Sequence, residues 1–247
     1  MSRIKKYLAD RNGIDRSRSL ESIVNYCSSN NYNTIKLIML WGASNKLKAT
    51  KADKDALLYL IHFIHELEGE FKKNCKLKII FTDTHVHLNG YDLDIMESYF
   101  SEIKYHLRKH DFTYTYCSSI LKNYINELGY SNWKEFILNI LKQPMVLFKS
   151  TNISEQQASK FKNYAIRHCN RLDGIGSLNE IRLSADAASK AYLYLSSIEK
   201  EVIGKSFSDS MFITYMNKEE DFILPNLTIA RIYTIKSGLR TRPWFSN

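Results

Sequence analysis

Glycine and proline are scarce in this chain, at 9 and 3 of 247 residues. Both residues punctuate turns, so long irregular loops must be few, and helices and strands carry most of the sequence. The 4 cysteines, Cys27, Cys75, Cys117 and Cys169, form no CxxC pair. That spacing speaks against a disulfide framework and a thiolate zinc site, and for reduced, buried thiols. The longest apolar runs, such as Ile35 to Trp41, fall far short of a membrane span. The start, Met1-Ser-Arg-Ile-Lys-Lys6, has no apolar stretch of the signal-peptide kind, so a cytoplasmic protein is the expectation. There is no GxxxxGK[ST] loop, no GxGxxG and no HExxH. Nucleotide-cradling loops and the helical zinc-protease motif are thereby set aside.

Acids are also in short supply: 26 Asp and Glu face 35 Lys and Arg, for a formal net charge of +9. A basic excess invites an anionic partner. The chain is also rich in Lys, Asn, Ile and Tyr, a bias that AT-rich coding produces by itself, so solvated surface lysine is the competing account. With 44% hydrophobic residues and 25% charged, the composition is that of a globular protein whose length supports a large core. No repeat and no Pro-, Gly- or Ser-rich linker divides it, so residues 1–247 read as one domain.

Periodicity fills in the elements. A helix is predicted over 17–29, then a strand from Thr34 to Trp41 closed by Gly42-Ala-Ser-Asn45. Ala52 to Phe71 is the clearest helix, with Leu57, Leu60, Ile61, Ile64, Leu67 and Phe71 on one stripe. A strand from Lys76 to Thr82, a helix over 92–109 and a short strand from Phe112 to Cys117 follow. From Ser118 to about Val202 the pattern is mainly helical, and Met211 to Tyr215 and Thr228 to Ile235 read as late strands. Strands alternating with helices predict an α/β fold, Rossmann-like, with a mostly parallel sheet flanked by helices and a helix-rich C-terminal half.

In such a sheet ligands bind beyond the carboxyl ends of the strands. Two segments sit there. After the first strand, Gly42 lets a ligand approach the backbone while Ser44, Asn45 and Lys46 supply donors for a carboxylate or phosphate; an ordinary strand-to-helix turn reads the same way. After the second comes Thr82-Asp83-Thr84-His85-Val86-His87-Leu88-Asn89-Gly90. Here Asp83 and His85 suit proton transfer near neutral pH, and His87 and Asn89 suit substrate contact, although Asp and Asn are also turn formers and caps. A third group, Arg182, Ser184, Tyr192, Tyr194, Glu199, Ser210 and Tyr215, converges if the long helix and the late strand meet; Glu199 among Tyr and Leu is a carboxylate that burial would perturb. On a plain helix the same Glu199 is one exposed acid. Asp83-Thr-His-Val-His-Leu88 is similar to the first metal motif of the amidohydrolase family, which implies two His ligands. The roughly 160 residues that follow are too few for the seven further βα units of such a barrel, so no metal is expected.

Trp41, Lys46, Asp53, Leu57, Leu60, Asp83 and Tyr99, with Arg182-Leu-Ser184 and Pro243-Trp244, form a pattern that resembles the isocyanide synthase family, which includes the pyoverdine and dityrosine biosynthesis proteins. The departures are Phe245 in place of a His, and Thr84-His85 after Asp83 in place of Gly-Arg. The resemblance implies a biosynthetic enzyme that converts an amino acid, with a sugar phosphate as carbon donor, to an isocyanide without a cofactor. It further implies Lys46 and Arg182 as anion holders and Asp83 and His85 as proton-transfer groups; Glu199 and Tyr215 join the catalytic candidates from the third group. Asn45 and Ser210-Met-Phe-Ile-Thr-Tyr215 are similar to features of the tRNA-dependent cyclodipeptide synthases, which implies aminoacyl-tRNA as the alternative partner. A non-catalytic nucleic-acid-binding module is a further alternative, resting on the basic excess alone.

Overall fold

A computed structural model of the protein describes residues 2–8, 14–29, 33–42, 47–149, 154–215 and 228–232. Its centre is a five-stranded sheet, β1 (Thr34–Trp41), β2 (Asn74–Phe81), β3 (Thr113–Tyr116), β4 (Met211–Tyr215) and β5 (Thr228–Ile232), in the order β3-β2-β1-β4-β5. Every neighbouring pair is parallel. The order 3-2-1-4-5 is that of the Rossmann arrangement, which places the reversal of strand order between β1 and β4. β1 and β2 are paired along their whole length, from Thr34 with Asn74 to Trp41 with Phe81. The segments that follow them therefore leave one edge of the sheet side by side.

The predicted helices form around this sheet for local reasons. α1 (Ser2–Lys5) and α2 (Ile14–Ser29) precede β1. α3 (Lys51–Phe71) begins with a capping box, Thr50 and Asp53 each bonding the other's backbone N–H, and ends at Lys72 in the left-handed region at φ 53°. α4 (Thr84–Asn89) is short, and α5 (Leu93–Arg108) is capped by the Asp92 side chain on the N–H groups of Asp94 and Ile95. α6 (Cys117–Glu127), α7 (Trp133–Lys142), α8 (Pro144–Lys149) and α9 (Glu155–His168) make the helix-rich half. A 3₁₀ turn over Asn170–Leu172 follows, and α10 (Leu178–Ser206), opened by a Ser177–Glu180 capping box, returns the chain to β4.

Alternation along the strands divides the core between two faces. Ile35, Leu37, Met39 and Trp41 of β1 pack with Leu77, Ile79 and Phe81 of β2 against α2, α3 and α5, where Leu57, Leu60, Ile64 and Leu67 form the stripe read from the sequence. Ile38, Ile80 and Phe212 face the other way, against α6, α7 and α10. Each such fully buried aliphatic or aromatic side chain contributes about 1.5–3 kcal/mol of transfer free energy. No helix among the described residues is long and apolar enough to cross a membrane.

Candidate functional site at the carboxyl edge of the sheet

Beyond Phe81 the Thr82 N–H still bonds the Trp41 carbonyl at 3.0 Å, and the chain then turns directly into α4. The segment after the second strand is thus a short helix, and this separates its polar groups. Asp83 stands at the α4 N-terminus without capping it. Its carboxylate reaches sideways to α6 instead, accepting from the Ser118 N–H at 3.0 Å and from the Ser118 hydroxyl. Asp83 thereby satisfies the amino end of α6, whose N-cap residue Tyr116 offers no side-chain bond, and ties the ends of β2 and β3 together. Burial pushes the Asp83 carboxyl up from its ordinary value and the Glu199 charge adds to this, while the two Ser118 bonds oppose it.

His85 and Glu199, 114 positions apart, form the centre of the site. His85 Nε2 lies 2.6 Å from Glu199 Oε2, and the Thr84 hydroxyl donates to Glu199 Oε1. Glu199 sits in the C-terminal half of α10 with 1% of its surface exposed, so both carboxylate oxygens are served where an unpaired charge would be costly. The Tyr192 ring, two turns earlier on α10, lies 4.3 Å from the His85 ring between centroids. Tyr192 in turn stacks on Phe161 of α9 at 5.3 Å. Cys117 lies beneath, fully buried, its thiol pushed far up by burial and by the charges of Glu199 and Asp83. It is therefore unsuited to be a nucleophile.

Several expected residues thus meet and others do not. Asp83, His85, Tyr192 and Glu199 come together. His87 points elsewhere, its ring 6.5 Å from that of Trp133, and burial plus the nearby Arg171 charge lowers its pKa. Asn89 is buried as the last residue of α4. Gly90 follows in the left-handed region at φ 72°, where a Cβ would stand 2.8 Å from Arg171 Cγ. Arg171 completes that helix end, donating to the His87 carbonyl at 2.6 Å and the Leu88 carbonyl at 2.9 Å. Arg182 is exposed near the start of α10, about 15 Å of helix before Tyr192 at 1.5 Å per residue. Ser210 and Tyr215 do not converge: Ser210 precedes β4 at its amino end and Tyr215 ends it, roughly 16 Å apart at strand rise. Tyr215 stands at the correct edge, but its side chain, like Ser44, Asn45, Lys46, Pro243 and Trp244, lies outside the described residues; Gly42 is described, at the exit of β1.

Sequence reasoning missed Thr84, Ser118 and Arg171. The rule that singled out the exits of the first two strands applies equally to Cys117-Ser118 after the third, and would have found Ser118. Nothing local announced Arg171.

Three residues of the family-like pattern have another duty. The Trp41 indole N–H donates to the Tyr99 hydroxyl at 3.0 Å, and that hydroxyl donates to Asp53 Oδ1 at 3.0 Å. The other Asp53 oxygen accepts from the Thr50 N–H and hydroxyl, each at 2.7 Å. Ala49 N–H also reaches Glu102 Oε2 at 3.0 Å. Through Tyr99 and Glu102, α5 holds both ends of the connection between β1 and α3.

Of the two segments read as ligand-facing, 42–46 and 83–89, residues 43–46 lie outside the described residues. A cavity of about 910 Å³ is found at the opposite, amino-terminal edge, lined among others by Lys36, Lys76, Lys78, Phe112 and Phe207. Its lysines are offset by Glu68, Asp111 and Asp209, so it carries no marked excess of charge.

No family model matches this sequence, and no curated protein does. Its fold is similar to the crystal structure of the PvcA protein from Pseudomonas aeruginosa, with a TM-score of 0.67 at 10% identity, covering 98% of this chain and 86% of that one. The likeness establishes the Rossmann-like α/β fold.

Proposed function

We propose that this chain is a biosynthetic enzyme of the isocyanide synthase type, joining the amine of a free amino acid to a carbon supplied by a sugar phosphate. The observation that carries this reading is the buried His85–Glu199 pair beside Asp83, at the sheet edge where Rossmann-like folds bind ligands. PvcA is a protein of the pyoverdine and isocyanide synthase family, so the shared fold points the same way as the resemblance in residues. Condensing an amine with a sugar carbonyl requires a proton to leave nitrogen and another to reach the departing oxygen. An imidazole oriented by a carboxylate suits both transfers. Lys46 would hold the phosphate or carboxylate; Arg182 shares that task only if the substrate extends along α10.

The test is direct. The purified chain is incubated with ribulose 5-phosphate and each of the twenty amino acids in turn, and products are read by mass spectrometry. An isocyanide or imine product is expected with at least one of them, reduced about 10²-fold or more in His85→Gln. No such product with any of the twenty overturns the proposal.

A further inference from the structure

His85 has two ring nitrogens, and their surroundings differ. Nε2 is 2.6 Å from the Glu199 carboxylate, whose second oxygen is taken by Thr84. Nδ1 is buried and has no hydrogen-bond partner among the described residues. Ser196, on the same face of α10 as Tyr192 and Glu199, likewise has a buried hydroxyl without a partner there. Buried polar atoms in folded proteins are nearly always satisfied, and those that are not call for a functional account. A carboxylate accepts hydrogen bonds and cannot donate one, so in the neutral ring the proton belongs on Nε2. That leaves the Nδ1 lone pair bare.

We propose that Nδ1 of His85 is the proton acceptor of this site, that Glu199 is the positioning residue fixing the Nε2–H tautomer, and that the proton comes from a substrate ammonium group. The assignment rests on the proposed function for the substrate's amine and goes beyond it in naming the atom and the partner. In the step, a substrate R–NH₃⁺ gives one proton to Nδ1 and becomes R–NH₂ with a free lone pair. The ring becomes an imidazolium whose Nε2–H faces the Glu199 carboxylate, so the new charge forms beside its counter-charge. Thr84 holds the other oxygen so that the carboxylate does not rotate away. The Tyr192 ring lies against the imidazole, 4.3 Å between centroids, and helps fix its orientation.

The experiment needs no product. The full chain is labelled with ¹⁵N-histidine, His85→Gln identifies the His85 signals, and long-range proton–nitrogen correlation near neutral pH reports which nitrogen carries the proton. The expected result is a protonated Nε2 and a bare Nδ1 in the wild type, lost or mixed in Glu199→Gln. A wild-type ring protonated on Nδ1, alone or together with Nε2, overturns the proposal even if Glu199→Gln does not fold. An unchanged tautomer in a folded Glu199→Gln overturns the role of Glu199. Titration of the wild type with the twenty amino acids should move the Nδ1 signal for at least one; movement by none overturns the amine as the proton donor. If isocyanide forms, Glu199→Gln is expected to lower kcat about 10²–10⁴-fold with KM little changed. A protein with the predicted tautomer that makes no isocyanide would refute the reaction while leaving the nitrogen assignment standing.

Discussion

Replacing Tyr99 by Phe removes one oxygen atom, and the structure says what should follow. The hydroxyl links Trp41 Nε1 and Asp53 Oδ1, each at 3.0 Å, and all three residues are shielded from solvent. Burial and the adjacent Asp53 charge push the Tyr99 hydroxyl well above its ordinary value, so it is protonated and donates throughout the working pH range. A hydrogen bond to a charged group contributes about 1.5–3 kcal/mol net and a neutral one about 1 kcal/mol. Water cannot replace either at this depth. The expected loss in Tyr99→Phe is therefore about 2–4 kcal/mol, a fall in Tm of roughly 5–15 °C for a domain of this size. Urea unfolding of wild type and variant measures it, with the slope against denaturant checked for constancy. A double-mutant cycle with Trp41→Phe should give a coupling of about 1 kcal/mol. A loss below about 0.5 kcal/mol would show that the chain of bonds is not what holds β1, α3 and α5 together, and the argument for Asp53 and Tyr99 as anchors would fall with it.

Gly90→Ala should cost about 1–3 kcal/mol in the same unfolding assay. The left-handed backbone at φ 72° penalises a Cβ, and that atom would press on Arg171, whose head is fixed on two carbonyls. Unchanged stability would mean Arg171 gives way freely. The lowered pKa of His87 sets the sign of a pH effect. Between its folded value and the ordinary 6.5 the unfolded chain binds more protons, so this group's contribution is present above 6.5 and is lost as pH falls through that window. Stability measured from pH 7.5 downward should decline less steeply in His87→Gln than in wild type, and parallel curves would refute the burial account.

Much of the fold was legible in the sequence because hydrophobic period is a local property. The strand from Thr34 to Trp41 and that from Met211 to Tyr215 were read to the residue, and the stripe from Leu57 to Leu67 is the face α3 buries. Alternating strands and helices also implied parallel pairing, which put the exits of β1 and β2 on one edge. The site was only half legible. Asp83 and His85 stood out in the polar cluster at a strand exit, and Glu199 as a carboxylate among Tyr and Leu, but local pattern could not say that His85 faces Glu199 while His87, two residues on, turns to Trp133. That follows from α4 being a helix, where neighbours two apart diverge, against α10 lying where its Tyr192–Glu199 face meets it. Nor could it say that Asp83 spends its carboxylate on Ser118, or that Tyr99 bridges Trp41 and Asp53. These contacts join residues 35 to 114 positions apart, and only the packing of whole elements against the sheet brings them within bonding distance.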